Sequence, residues 1–390
     1  MNNSALTTNA ISTVYTDVSP SDLTSVTKTG QGYVALTSTT SNYSGGFFIN
    51  AGGVRIGDSA NAAALGSGTI TIGTSLGAPG ANAVLNLRDG NTGYTLPNNI
   101  VLGSDAATLT IGARGTGVYR ISGTITGTND LRVAPANASA TTAGGINVVF
   151  EGAVNIAGYI INRSEMLQTD TTGISVQSNL ATTSIASFRG GIGSNVKGLV
   201  QENSNAASAL TVTRDGTNAT GDIITIGASG FIARNSGGGA MDLNSGTGGT
   251  GDFILQNNSS NGSTGLQIRT NNVVHTGKVI NSGTGTGAVS ISALLGQGVT
   301  EIVQASATSP LNISGNVNVG LSTKVIRNTG GAALNLTSTA VGNGNGVLVF
   351  ANDTTVDGAI TVSGTGTIRP GSGLENSGAG TGNVVLGTSI

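Results

Sequence analysis

The sequence predicts an all-β chain built as a parallel β-solenoid, a right-handed β-helix of many short strands joined by glycine-rich turns. Three observations predict it. The first is a long-period repeat. Asn235-Ser-Gly-Gly-Gly-Ala-Met-Asp-Leu243 returns at Asn281-Ser-Gly-Thr-Gly-Thr-Gly-Ala-Val-Ser-Ile291, at Asn328-Thr-Gly-Gly-Ala-Ala-Leu-Asn-Leu336 and at Asn376-Ser-Gly-Ala-Gly-Thr-Gly-Asn-Val-Val-Leu386, in steps of 46, 47 and 48 residues. Gly251, Gly298 and Gly346 keep the same step, 47 and 48 apart, each just ahead of an apolar run. Fixed-period self-similarity without a helical pattern marks a stack of repeats. The second is alternation of apolar with Thr or Asn, as in Thr69-Ile-Thr-Ile-Gly73, Val84-Leu-Asn-Leu87 and Ala359-Ile-Thr-Val362, which is the period of a strand. The third is composition. With 64 Gly, 3 % aromatic residues and no Trp in 390 residues, the chain suits tight turns around a narrow core of Val, Ile, Leu, Ala and Thr.

Gly, Ser and Asn enrichment also fits disorder. A net charge of only −2, just 6 Pro and the strand alternation oppose that reading. If 47 residues make two coils, each coil holds about 23, and neighbouring coils stack ~4.8 Å apart with like residues in ladders. The recurring Asn is expected to form one such ladder at a turn, its amides bonding along the stack.

In chain order, residues 1–24 lack the repeat and are expected to be a cap or lead-in, with Val14, Tyr15, Val18 and Leu23 packing over the end of the stack. Residues 25–390 are expected to form one continuous solenoid. Its opening reads Val26-Thr-Lys-Thr-Gly-Gln-Gly-Tyr-Val-Ala-Leu36, then Asn42-Tyr-Ser-Gly-Gly-Phe-Phe-Ile-Asn-Ala-Gly-Gly-Val-Arg-Ile-Gly57, then Ala64-Leu-Gly-Ser-Gly-Thr-Ile-Thr-Ile-Gly73. This opening resembles the autotransporter-associated β-strand repeat of bacterial surface proteins. Thr27, Lys28, Gly30, Gly32, Leu36, Tyr43, Gly45, Gly46, Ile49, Gly52, Ile56 and Gly57 match that pattern; Phe47 and Phe48 depart from it, as does one extra residue between Leu36 and Tyr43. The close match covers about residues 26–73. It implies a parallel β-solenoid passenger exported to the bacterial cell surface.

Further along, Thr108-Leu-Thr-Ile-Gly112, Tyr119-Arg-Ile-Ser-Gly-Thr-Ile125 and Ile146-Asn-Val-Val-Phe150 continue the strand pattern. Residues 161–190 break it. Asn162-Arg-Ser-Glu-Met-Leu-Gln-Thr-Asp170 is charged and does not alternate, so a loop or a single helical turn projecting from the stack is expected. Arg163, Glu165, Met166 and Asp170 make it the candidate binding loop. From Leu199 the regular pattern resumes. The copy starting at Asn376 is left unfinished at Val384-Val-Leu-Gly-Thr-Ser-Ile390. Val384, Val385, Leu386 and Ile390, with Val14, Tyr15 and Val18, are therefore the candidate end-to-end interface.

Little in the sequence points to chemistry. Polysaccharide-active β-helices need clustered carboxylates, in places with Ca²⁺. The 18 acidic residues are spread thinly. Asp353 and Asp357 are the nearest approach to a cluster, and Asp215 and Asp222 beside Arg214 read as Asp-Gly and Gly-Asp turns. His275 stands alone in a chain without Cys, which argues against zinc and for a polar residue at a strand end. The Gly-Gly-x-Gly-x-Asp calcium repeat is missing. No catalytic residue, metal or cofactor is expected. Arg234, Arg269, Arg327 and Arg369 recur near strand ends. They read either as a stripe for acidic glycans or as solvated turns.

Sixteen scattered Lys and Arg give no concentrated basic face for nucleic acid. No apolar run approaches the ~18 residues of a membrane helix, and Met1–Ala10 is not patterned as a signal peptide. The expectation is therefore a non-enzymatic extracellular or cell-surface protein. Its partners would be further copies of itself in a head-to-tail filament, or the remainder of a longer chain. The alternative is an adhesin for cell-surface glycans, and a polysaccharide-active enzyme ranks last.

Overall fold

The computed structural model describes residues 9–56, 62–73, 82–88, 93–104, 108–114, 118–135, 147–163, 165–170, 173–178, 185–202, 209–213, 224–259, 265–269, 271–355, 358–363, 367–368, 373–376 and 378–387. It is all-β. The regular structure among these residues is strand, apart from one 3-10 turn at Ala62–Leu65. The chain divides into two compact units, Met1–Val196 with Glu202–Leu210, and Lys197–Gln201 with Thr211–Ile390. Each unit is a stack of parallel coils, so the fold class predicted from the repeat is the one observed.

In unit 1 the chain visits three sheet faces in a fixed order. Thr108–Arg114 lies on the first face, Val118–Ile121 on the second and Ile125–Gly127 on the third; the next coil repeats this with Leu131–Pro135, Asn147–Phe150 and Val154–Ile156. Each strand pairs in parallel with its equivalent one coil away, so Ile70, Ile100, Ile125 and Val154 form one buried ladder on the third face. Alternation aims these side chains inward and leaves Thr71, Val101 and Thr126 on the outside. A fully buried aliphatic residue contributes about 2 kcal/mol, and each coil supplies several.

The stretch that carries the family resemblance builds the first coils. Val26–Lys28 and Phe47–Ile49 lie on the third face, and Tyr33–Leu36 and Gly52–Ile56 on the first. The departing Phe47 is buried in the ladder above Ile70. Gly52 shows why glycine recurs here. Its φ is +69° and a Cβ would meet the Gly32 carbonyl oxygen of the neighbouring coil at 2.4 Å, so both conformation and stacking distance exclude a side chain. The segment before Val26 belongs to the stack as well. Asn9–Ile11 pairs in parallel with Tyr33–Leu36, and Thr16 bridges Asn42.

Residues 161–190 differ from the sequence expectation. Glu165–Asp170 and Gly173–Ser178 form an antiparallel hairpin, Glu165 opposite Ser178 and Asp170 opposite Gly173, in a two-stranded sheet of their own. The apparent loss of alternation came from charged residues at strand positions, which hid a second periodic segment.

Unit 2 keeps the same three-face order. Its first face runs through Gly198–Gln201, Phe231–Asn235, Phe253–Asn257, Gly277–Asn281, Val299–Gln304, Lys324–Asn328, Val347–Asn352 and Gly373–Asn376. Its second includes Met241–Asn244, Leu266–Ile268, Val289–Ile291, Leu311–Ile313, Leu334–Leu336, Ile360–Val362 and Val384–Leu386. The third is continued between short strands by single parallel bridges from Thr247 through Val273 and Leu295 to Val317. Gly251, one of the sequence markers, has φ +104° and no room for a Cβ, which would lie 2.2 Å from the Gly227 carbonyl oxygen.

On the first face Phe253 pairs with Val279 and Phe350 with Asn376, steps of 26 residues against 22 to 24 for the other pairs from Ala233 onward. There Asn281 lies opposite Leu255 rather than Asn257, a slip of two positions. Two positions are one pleat period, so inward residues stay inward; a slip of one would turn them out.

Candidate functional site

The first-face strands of unit 2 end on buried amides. Gln201, Asn235, Asn257, Asn281, Gln304, Asn328 and Asn352 are 0–2 % exposed. Within its own turn an Asn side-chain oxygen accepts the N–H two residues on: Asn235 from Gly237 (3.2 Å), Asn257 from Ser259 (3.3 Å), Asn281 from Gly283 (3.3 Å) and Asn328 from Gly330 (3.3 Å). The side-chain nitrogen donates further round the corner, from Asn235 to the Gly239 carbonyl (3.0 Å), from Asn328 to Ala332 (3.0 Å) and from Asn352 to Gly358 (2.8 Å). One side chain thus closes the bend from the first face to the second.

It also ties coils together, since Asn352 donates to the Asn383 carbonyl at 2.9 Å and Asn257 to Ala288 at 3.3 Å. The expected amide-to-amide ladder is therefore only partly what forms. Amide meets amide at Asn281 and Gln304 (2.8 Å), where the longer Gln arm leaves its oxygen free for the neighbouring coil. Ser306 Oγ then accepts the turn N–H of Ser309 at 2.8 Å.

The arginine stripe is occupied by partners within the stack. Arg327 Nε lies 2.7 Å from Glu301, which also takes Lys278 Nζ at 2.7 Å, and Arg327 Nη1 pairs with Asp353. This chain of charges crosses four successive coils. Burial alone would raise the Glu301 carboxyl, but hydrogen bonds from Lys278 and Arg327 outweigh it and hold the carboxyl below its ordinary value. Arg269 pairs with Asp242 at 3.1 Å, and Arg234 donates to Gln256 at 2.8 Å. The candidate carboxylate Asp353 accepts the Ala379 N–H at 2.9 Å besides its ion pair. Asp357, Asp215, Asp222, Arg214 and Arg369 lie outside the described residues.

Besides these amides, two titratable side chains of unit 2, His275 and Lys324, are buried. His275 precedes the strand Gly277–Asn281, as a strand-end residue should, yet it is fully buried. Lys324 is 1 % exposed and donates to the carbonyls of Gly296 (2.9 Å) and Val299; burial lowers its pKa to about 8. Among the described residues no group of three or more His, Cys, Asp or Glu is placed to hold a metal ion. Nor is any described helix long and apolar enough to cross a membrane.

The candidate end-to-end residues fall at the outermost strands of the sheets. Asn9–Ile11 has a neighbour on one side only among the described residues, and so does Val384–Leu386. Val14, Val18 and Leu23 are 50, 80 and 51 % exposed, and Val385 and Leu386 46 and 36 %. Val384 is half-buried and Ile390 lies outside the described residues. Tyr15 is turned inward, its ring edge-on to the buried Tyr43 at 6.1 Å. Asp17 anchors the same segment by accepting from the Ser44 hydroxyl (2.7 Å) and amide (3.1 Å) and from the Thr24 amide (2.8 Å).

Of the candidate binding loop, Arg163 pairs with Glu202 at 3.7 Å. Glu165, Met166 and Asp170 take strand positions in the hairpin. No protein-family model, curated protein or solved structure matches the chain.

Proposed function

We propose that this chain is a structural protein of the bacterial cell surface or extracellular space, a β-solenoid subunit that builds a filament or surface fibre by head-to-tail contact with further copies of itself. The observation that carries the reading is the state of the outermost strands. Among the described residues Asn9–Ile11 and Val384–Leu386 each have a strand neighbour on one side only, beside exposed Val14, Val18, Leu23, Val385 and Leu386. Such an edge templates another strand. A heterologous contact of this kind does not close on itself and so propagates. The cell-surface location is inferred from the family resemblance of residues 26–73.

Charged side chains fit a structural role too. Lys278, Glu301, Arg327 and Asp353 are engaged in holding coils together. A second reading, a glycan-binding adhesin, is favoured by the hairpin Glu165–Ser178, which departs from the parallel stack.

Electron microscopy and sedimentation of the purified chain test the proposal. Wild type should form elongated assemblies that grow with concentration. The triple variant Val14→Ser, Val18→Ser, Leu23→Ser should keep its β-sheet circular dichroism and remain monomeric. Wild type that stays monomeric at all concentrations overturns self-assembly. Loss of glycan attachment on deleting 165–178, with assembly absent, would establish the adhesin instead.

A further inference from the structure

His275 is the only histidine of the chain, and its surroundings in unit 2 suit one protonation state. The ring is fully buried and stands edge-on to Phe253 at 6.0 Å. Nε2 lies 3.2 Å from the Lys278 carbonyl oxygen, which can only accept, so Nε2 carries the hydrogen. Nδ1 lies 3.0 Å from Thr247 Oγ1 and accepts from that hydroxyl. Both ring nitrogens are thus satisfied in the neutral form. A second proton, on Nδ1, would displace the hydroxyl hydrogen of Thr247 and place a cation in the core.

The charges around the ring do not welcome that cation. Lys324 is buried nearby, with its ammonium on the Gly296 and Val299 carbonyls. Asp252 is the one acidic neighbour, and its carboxylate is engaged by the Lys278 N–H at 3.0 Å. The Lys278 ammonium is held by Glu301. Thr247 and Phe253 bring no charge. Burial is the largest influence on the ring and lowers its pKa. The Lys278 carbonyl and Asp252 act upward without offsetting burial, and Lys324 adds to the lowering.

The geometry points to an acid-sensitive latch in unit 2: a proton taken up by His275 releases the corner that Thr247, Val273–Lys278 and Gly296–Val299 share. The closed corner holds the ring neutral, whereas an opened corner lets it protonate near its ordinary value of about 6.5. Opening is therefore favoured as pH falls below about 6.5, by up to about tenfold for each pH unit until the folded value is reached. Unit 1 contains no histidine and has no such response.

A lone histidine gives one imidazole Cε1–H resonance, so the full chain can be read directly by NMR. That resonance should stay at its neutral position as pH falls through 6.5, the ordinary histidine value. Amide exchange of 277–281, corrected for the intrinsic pH dependence, should rise about fivefold between pH 6.5 and 5.5. In His275→Gln, which keeps a donor for the Lys278 carbonyl and cannot titrate, the corrected rate should be flat. A resonance that titrates near 6.5 while exchange is unchanged overturns the latch, as does the same acid rise in His275→Gln. If that variant does not fold, the wild-type resonance and exchange decide alone.

Discussion

In unit 1 the step from one first-face strand to the next is 20, 31, 26, 22 and 29 residues from Val34 to Asn162. In unit 2 from Phe231 to Asn376 it is 22, 26, 23, 24, 24 and 26. Both units nevertheless carry uninterrupted inward ladders. Coil length is set at the corners, and the faces tolerate what the corners add so long as the pleat is kept. The corners differ in chemistry too. Unit 2 closes the bend after its first face with buried amides in succession. In unit 1 Asn162 ends a first-face strand in the same buried way, whereas other buried amides are placed differently, for example Asn98, whose nitrogen donates to the Gly66 (3.0 Å) and Gly68 (2.6 Å) carbonyls beside the third face. The more even coil length of unit 2 goes with its succession of like corners; in unit 1, where that succession is lacking, the length drifts.

The strongest way to break the comparison is Asn281→Asp. It keeps the shape but removes the donor to Gln304 and to the Ser309 carbonyl (2.8 Å), and it buries a charge. It should cost unit 2 about 4 kcal/mol at neutral pH, read from denaturant midpoints of exchange-labelled peptides, with unit 1 unchanged. Next, Ile100→Ala in unit 1 and Ile313→Ala in unit 2 should each cost about 3 kcal/mol. Equal losses are expected because both residues are fully buried and the ladders do not differ between units.

Alkaline pH should separate the units. Lys324, with its pKa lowered to about 8, binds fewer protons folded than unfolded. Unit 2 should thus gain about 1.5 kcal/mol between pH 8 and 9.5, and Lys324→Met should abolish the gain. Burial raises the phenols of Tyr33 and Tyr43, so unit 1 should instead lose stability as pH rises past about 10, where the unfolded phenols ionise. The smallest effect is Glu301→Gln, about 1 kcal/mol at low ionic strength and less in high salt. The matching bridge in unit 1 is Glu151 between Arg120 (2.9 Å) and Arg189 (3.6 Å). Glu151→Gln should fall in the same range.

Fold class was legible in the sequence because a solenoid repeats its inward alternation on every coil. The single-coil period was harder to see. The Asn-Ser-Gly copies show it only every second coil, because the intervening corners read Asn257-Asn-Ser, Gln304-Ala-Ser and Asn352-Asp-Thr. The shared signal is an amide followed two residues later by Gly, Ser or Thr, at steps of 22, 24, 23, 24, 24 and 24 from Asn235 to Asn376. It follows from the turn, since a small residue there lets its N–H reach the amide oxygen. The hairpin was missed because Glu165 and Asp170 interrupted the apolar pattern without interrupting the strands. Burial of His275 and Lys324 was not legible, because their partners are backbone carbonyls and one hydroxyl, which leave no mark in residue type.

The chain has no cysteine, so coil-to-coil register is open to direct measurement. Asn312 and Asn335 lie opposite each other on adjacent coils, with their side chains 2.9 Å apart. Asn312→Cys with Asn335→Cys should form a disulfide rapidly under mild oxidation, because adjacent parallel strands hold Cα atoms ~4.8 Å apart, within the bonding range. Ser290→Cys with Asn335→Cys, two coils apart, should stay reduced. Cross-linking of the second pair, or failure of the first in folded protein, would contradict the one-coil stacking on which the account rests.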